Sequence, residues 1–160
     1  MRIHCLLLLL CSLGVSLAAK PNVVFFFIDD MGWTDLGFMG SKYYESPHID
    51  KLAQEGMVFM NAYAAAPNCA PSRACLMSGQ YSPRHGVYTV ANSDRGSSKD
   101  RKLIPTKNTI HLAEEFVTMG EALQAGGYVT ATMGKWHLGD DPTTQGFDVN
   151  VAGKTWGSPS

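Results

Sequence analysis

This sequence has almost no excess of positive or negative charge. Its 160 residues carry 13 Lys and Arg against 14 Asp and Glu, a formal net charge of -1, and only 17% of its residues are charged. A chain without a basic excess lacks the broad positive field that gathers nucleic-acid phosphates, so we expect no nucleic-acid partner. Its 45% hydrophobic content and 16 glycines are typical of one folded domain rather than of a disordered chain.

Long apolar runs are also scarce, and the longest one stands at the start of the chain. Arg2 precedes an apolar stretch that begins at Cys5 and falls short of the roughly 20 residues needed to cross a bilayer. The small residues Ser16 and Ala18 occupy the positions that a signal peptidase reads. We therefore predict that residues 1–19 are a signal peptide, that the protein is exported to the periplasm, the lysosome or the medium, and that the mature chain has no transmembrane segment. A buried N-terminal helix is the alternative.

Cysteine is the third scarce component. Of four cysteines, Cys5 and Cys11 fall in the predicted signal peptide, which leaves Cys69 and Cys75 in the mature chain. An exported protein can form a disulfide. These two residues, however, lie six apart in a segment that looks like a helix start, where such positions face different sides. The spacing therefore argues against a disulfide between them, and at least one cysteine needs another explanation.

What the sequence does contain is a pattern of buried strands and short helices. Residues 23–28 form a continuous β-branched and aromatic run, typical of a buried parallel strand, and the adjacent carboxylates Asp29 and Asp30 follow it. Open α/β sheets bind ligands at the carboxyl ends of their strands. The carboxylate pair therefore marks a candidate site.

Further elements follow the same alternation. Ser46 and Pro47 predict the start of a helix over residues 47–55, and a second strand is predicted over residues 57–63. A capping-box pattern predicts a helix after Thr118, followed by a strand over residues 128–133. Strand, helix and strand in this order indicate an α/β fold with a mostly parallel central sheet flanked by helices.

The segment around Cys69 carries the strongest indication of chemistry. Pro71 and the apolar residues further on place Cys69 just before a helix N-terminus, where the dipole and free amides favour negative charge and activate a thiol. Arg73, one turn further on, could pair with an anion there.

Four ordered motifs between residues 21 and 147 resemble those of the type I sulfatases, in the alkaline-phosphatase-like superfamily. Each motif alone is less specific than the four in this order. The matching segments are Asp29-Asp30-Met31-Gly32-Trp33, the helix segment from Ser46 to Gly56, Cys69-x-Pro71-Ser72-Arg73 with Ser78-Gly79, and Gly134-Lys135-Trp136-His137-Leu138-Gly139.

The resemblance implies a catalytic centre with covalent chemistry. Cys69 would be oxidised during export to formylglycine by a formylglycine-generating maturation enzyme, and its hydrated aldehyde would attack the sulfur of a sulfate ester. Arg73 would hold the diol. Lys135 and His137, which alternate around Trp136 and share one side of an extended segment, would be catalytic and bind the substrate sulfate. His85 is interpreted as structural.

The resemblance also implies a divalent cation, Ca²⁺ with Mg²⁺ as the alternative, held by Asp29, Asp30 and the modified Cys69. The family's later Asp-Asn pair, a further histidine and a further lysine are missing before the sequence stops at Ser160. Residues 20–160 are therefore expected to be the N-terminal part of a sulfatase catalytic domain, incomplete at the C-terminus, inactive alone and poor at folding alone.

The expected substrate is a sulfate ester of a carbohydrate or an aryl alcohol. One alternative is a phosphoester or phosphonate hydrolase of the same superfamily, against which the cysteine of the C-x-P-S-R motif argues. The other is a non-catalytic exported binding module.

Overall fold

A computed structural model describes residues 19–157, so the predicted signal peptide lies outside the described residues except for Ala19. The helices are α1 (Pro47–Glu55), α2 (Cys69–Ser78), α3 (Ser82–His85) and α4 (Met119–Ala125). The strands are β1 (Ala131–Met133) and β2 (Val149–Val151), and short 3-10 turns occupy Gly37–Met39, Ser98–Asp100 and Pro142–Gln145. In the described range, no helix has both the length and the apolar character needed to cross a membrane.

The helices predicted over residues 47–55 and after Thr118 are confirmed, and the residues that predicted their starts lie at those starts. Helix α1 begins at Pro47, whose missing N–H is not needed in the first turn. Before α4, the backbone N–H of Glu121 donates to the Thr118 hydroxyl at 3.2 Å, and the Thr118 N–H donates to the Glu121 carboxylate at 2.7 Å. This reciprocal capping box satisfies two backbone donors and fixes the start of the helix.

Strands β1 and β2 are parallel and hydrogen-bonded, with Thr132 opposite Asn150 in the register. The predicted strand over residues 128–133 is therefore shorter than expected, because only its last three residues have a partner. Just before β1, the Thr130 N–H donates to the Asp148 carboxylate at 2.7 Å. The parallel pairing agrees with the predicted α/β class.

The strands predicted over residues 23–28 and 57–63 are wrong as secondary-structure assignments. Neither segment is in a strand, and side chains in both are largely exposed, with Phe26 at 81% and Phe59 at 73%. An apolar run predicts burial, but a strand also needs a neighbour for its backbone N–H and C=O groups. Neither segment has such a neighbour within residues 19–157.

The core packs α2 against the chain that leads into and out of the Pro142–Gln145 turn. The Trp136 and Phe147 rings meet edge to face with centroids 5.6 Å apart, and the Leu112 N–H donates to the Leu138 carbonyl at 2.8 Å. The buried apolar cluster consists of Ala70, Ala74, Val87, Leu112, Trp136, Leu138 and Phe147. This packing holds the start of α2 beside the segment that carries Lys135 and His137.

Candidate active site

Cys69 is the first residue of α2, as its motif predicted to within one residue. Asn68 is the extended N-cap, and its carbonyl accepts the Ser72 N–H at 3.1 Å. Cys69 is half-buried, Cys75 is buried, and both are free thiols. The expectation that these two cysteines do not pair in a disulfide is therefore confirmed. Cys69 lines a cavity of about 190 Å³ together with Asp29, Asp30 and Arg73.

A carboxylate bridged by two cations forms the centre of the site. The Asp29 Oδ2 atom lies 3.0 Å from an Arg73 terminal nitrogen and 2.5 Å from the Lys135 Nζ. The Arg73 guanidinium also donates to the Lys135 carbonyl at 2.6 Å. The Arg73 and Lys135 side chains are only 9% and 14% exposed, so the charges interact where water screens them weakly.

The charge on Asp29 is stabilised by these neighbours. Burial alone would raise the pKa of Asp29, but hydrogen bonds and charge attraction from Lys135 and Arg73 outweigh burial and lower the pKa below its ordinary value. Asp29 is therefore ionised at neutral pH and partly offsets the two cations. The remaining excess positive charge can bind an anion.

Asp29 and Asp30 have the type of oxygen donor that a hard divalent cation prefers, but two carboxylates are too few to complete its coordination shell. Both are carboxylates lining one cavity, and such oxygens are the donors that Ca²⁺ and Mg²⁺ prefer. Asp30 has a φ of 56°, an uncommon conformation for a residue other than glycine. Ca²⁺ takes about six to eight oxygens, and residues 19–157 contain no group of three or more acidic, histidine or cysteine side chains that could hold a metal.

His137 approaches the same cluster in a strained conformation. Its φ is 64°, so the backbone is left-handed there and not extended as predicted. Burial lowers the pKa of His137, and repulsion from Lys135 and Arg73 lowers it further, against the attraction of Asp29. Within the described chain, the buried His137 Nδ1 has no hydrogen-bond partner. A neutral ring with a free nitrogen can hold or move a proton.

Two contacts at the site were not predicted. The Arg73 guanidinium carbon lies 5.1 Å from the centroid of the Phe27 ring, a cation–π contact. The spacing of residues 27 and 29 could have indicated that Phe27 lies on the same side as Asp29, because alternate residues of an extended backbone share one side. Gly157 lies against His137, and a Cβ atom there would be 3.2 Å from the ring Cε1. No local pattern indicated that second contact.

His85 lies among core residues, in agreement with its structural interpretation. Its Nε2 atom is 3.4 Å from the Cys75 Sγ, and its Nδ1 accepts the Val87 N–H at 3.1 Å. Burial lowers the pKa of His85 despite a hydrogen bond to the backbone of Gln80. The pair explains the burial of Cys75 without a catalytic role.

The fold and the site together define an α/β protein with two cationic side chains gathered on one carboxylate near a cysteine at a helix N-terminus. Comparison with known proteins identifies the family within this class. The family model described as Sulfatase matches residues 21–158. The chain belongs to the sulfatase family.

Individual relatives agree with this assignment. A protein named Sulfatase from Formosa agariphila is 44% identical over 146 residues, covering 83% of this chain and 26% of its own length. The dog (Canis lupus familiaris) N-acetylgalactosamine-6-sulfatase is 36% identical, covering 97% of this chain and 29% of its own length. The crystal structure of Ps i-CgsB in complex with k-i-k-neocarrahexaose superposes with a TM-score of 0.60 at 36% identity, covering 75% of this chain and 25% of that one. The chain thus spans about a quarter to three tenths of the length of the proteins it matches.

Proposed function

We propose that the protein is a sulfuric ester hydrolase that cleaves a sulfate ester through a formylglycine derived from Cys69. The observation that carries the proposal is the cluster of Asp29, Arg73 and Lys135 bordering Cys69. The buried Arg73 and the half-buried Lys135 share one carboxylate there, at 3.0 and 2.5 Å. The cluster therefore keeps excess positive charge beside the nucleophile position, as an anionic ester requires.

The cations are already positioned before a substrate arrives. The Lys135 carbonyl and the Phe27 ring hold the Arg73 guanidinium in place, so it needs little reorganisation during the reaction. The Arg73 Nε atom is buried without a hydrogen-bond partner in the described part of the chain. We assign Arg73 to the formylglycine diol, and Lys135 and His137 to the sulfate oxygens.

In the proposed reaction, one hydroxyl of the hydrated aldehyde attacks the sulfur, the S–O bond to the alcohol breaks, and the proton of that hydroxyl passes to the leaving alcohol oxygen. The second hydroxyl then loses its proton, the bond from carbon to the sulfate oxygen breaks to release sulfate, and the aldehyde is restored. Addition of one water to the aldehyde regenerates the diol, so the net reaction is hydrolysis. His137 moves protons because its ring is neutral and its Nδ1 is unpaired within residues 19–157. Asp29, Asp30 and the modified Cys69 would contribute donors to Ca²⁺ or Mg²⁺, which when bound would supply Lewis acidity toward the sulfate and the diol.

A sulfated carbohydrate is the proposed substrate class. The support comes from the printed names of a similar N-acetylgalactosamine-6-sulfatase and of a neighbour in complex with k-i-k-neocarrahexaose. Export through a signal peptide at residues 1–19 and maturation by a formylglycine-generating enzyme belong to the same proposal. The proposal also includes that residues 20–160 are part of a longer catalytic domain. Alone they would not turn over substrate, because they contain too few metal donors.

Sulfate release by matched cysteine variants tests this function. In the longest protein that the gene encodes, Cys69→Ala should abolish release of sulfate from a sulfated oligosaccharide. Cys75→Ala removes the other thiol of the described chain and should retain most of the activity. Equal activity of the two variants would contradict the proposal, and faster release of phosphate than of sulfate would favour the phosphoester hydrolase.

A further inference from the structure

A positively charged surface loop lies outside the catalytic cluster. Residues 92–107, which we name the basic loop, carry five of the 13 Lys and Arg residues and only two of the 14 Asp and Glu residues. The loop is therefore net positive in a chain whose overall charge is negative. Its basic residues are Arg95, Lys99, Arg101, Lys102 and Lys107, of which all but Arg101 are exposed.

The neck of the basic loop is closed by one side chain. Asn108 Oδ1 accepts the N–H groups of Tyr88 at 2.7 Å and Thr89 at 3.1 Å, and its amide donates to the carbonyls of Thr89, at 3.0 Å, and Ala91. The two ends of the loop are thereby held together, as in compact surface loops that often carry function. These four hydrogen bonds fix where the loop leaves and rejoins the rest of the chain.

The same neck touches the wall of the Cys69 cavity. The Asn68 side-chain amide donates to the Thr89 hydroxyl at 3.2 Å, and an Arg95 guanidinium nitrogen approaches the same hydroxyl at 3.5 Å. Asn68 lines the cavity and immediately precedes Cys69. Arg95 is thus separated from the residue beside the nucleophile by a single threonine side chain.

The charges of the loop differ in their availability. Arg101 pairs with Asp94 at 3.4 Å and donates to the carbonyls of Arg95 and Gly96, so it braces the loop. No ion pair within residues 19–157 engages Lys99, Lys102 or Lys107. These three exposed ammonium groups are available to an external anion.

We propose that the basic loop binds additional sulfate groups of a multiply sulfated oligosaccharide while one sulfate ester occupies the Cys69 cavity. This inference rests on the proposed function, because it names the substrate class of the same site. A chain of sulfated sugars carries further sulfate groups beside the one in the cavity, and the loop meets the cavity wall where Arg95 and Asn68 both contact the Thr89 hydroxyl. Salt screens exposed charges over about 8 Å at physiological ionic strength, so the contribution is local and salt-sensitive.

The test compares ligand binding to the longest protein that the gene encodes and to two triple variants of it. One combines Lys99→Gln, Lys102→Gln and Lys107→Gln; the control combines Lys42→Gln, Lys51→Gln and Arg84→Gln, which removes as many exposed basic charges outside the loop. The probes are a multiply sulfated hexasaccharide, p-nitrophenyl sulfate and a single-stranded oligonucleotide of equal charge, each measured by calorimetry at low and high NaCl.

The loop variant should bind the hexasaccharide about tenfold more weakly at low salt, since each of the three exposed charges contributes roughly a factor of two. The binding of the loop variant should also depend less on NaCl, and its affinity for p-nitrophenyl sulfate should be unchanged. The control variant should bind all probes like the unaltered chain. Equal losses in both triple variants, no binding of the hexasaccharide to the unaltered chain, or equally tight binding of the oligonucleotide would overturn the inference. Loop-dependent binding by a gene product that releases no sulfate from any ester would instead overturn only the proposed function.

Discussion

Replacing Asp29 by Asn removes the negative charge that the buried Arg73 and the half-buried Lys135 share. Arg73 and Lys135 would then lie 9% and 14% exposed without their common counter-ion. Leaving buried charges unpaired costs about 3–5 kcal/mol in fully buried pairs, and the 27% exposure of Asp29 reduces this, so we expect a loss of about 2–3 kcal/mol. Asp30→Asn is the control, because no ion pair in residues 19–157 involves Asp30.

Urea unfolding without divalent cations measures this difference. With a slope of about 2 kcal/mol per M, the Asp29→Asn midpoint should fall by about 1 M, and the Asp30→Asn midpoint should stay near that of the unaltered protein. Asparagine also tolerates the left-handed conformation at position 30. Equal midpoints for the two variants would refute the view that Asp29 is an electrostatic support and not only a metal ligand.

The pH dependence follows from the lowered pKa of Asp29. A carboxyl with a lower pKa in the folded than in the unfolded state contributes stability above its unfolded value of about 3.9 and loses it as the pH falls through the folded value. The free-energy difference between the unaltered protein and Asp29→Asn should therefore narrow as the pH falls from 6 to 3. A constant or growing difference would contradict the assignment.

Two further predictions concern His137 and a close backbone approach. In an NMR titration, the pKa of His137 should lie below its ordinary value of about 6.5, and Asp29→Asn should lower it further by removing an attraction; a higher value in that variant would contradict the assigned causes. Gly146→Ala should destabilise the fold in urea by at least about 3 kcal/mol, because its φ is 85° and a Cβ atom would lie 2.1 Å from the Glu121 nitrogen. Gly79→Ala, with a φ of 65° and no atom within 4 Å of the added Cβ, should cost only about 1–2 kcal/mol, and equal losses would refute the clash.

Features encoded by neighbouring residues could be predicted from the sequence. The starts of α1 and α4 depend on a proline and on a capping box within one turn, so their positions were correct. The segments 23–28 and 57–63 failed because a strand depends on a partner elsewhere in the chain, which an apolar run does not specify.

The same distinction applies to the site. The motifs indicated Arg73 and Lys135 as cations for an anion, but not that both bind Asp29, since those contacts join distant parts of the chain. The left-handed backbone of His137 could not be predicted either, because the argument that Lys135 and His137 point to the same side assumes an extended segment. Tertiary packing decides both features, and neither has a local pattern.

The proposed conversion of Cys69 is the central claim, and mass spectrometry of the protein recovered from its native host tests it most directly. The tryptic peptide spanning residues 52–73 contains Cys69 and excludes Cys75. It should carry an aldehyde that reacts with hydrazides and should resist thiol alkylation, while the peptide containing Cys75 should alkylate after unfolding. A Cys69 that remains an unmodified, alkylatable thiol throughout the population would contradict the proposed mechanism.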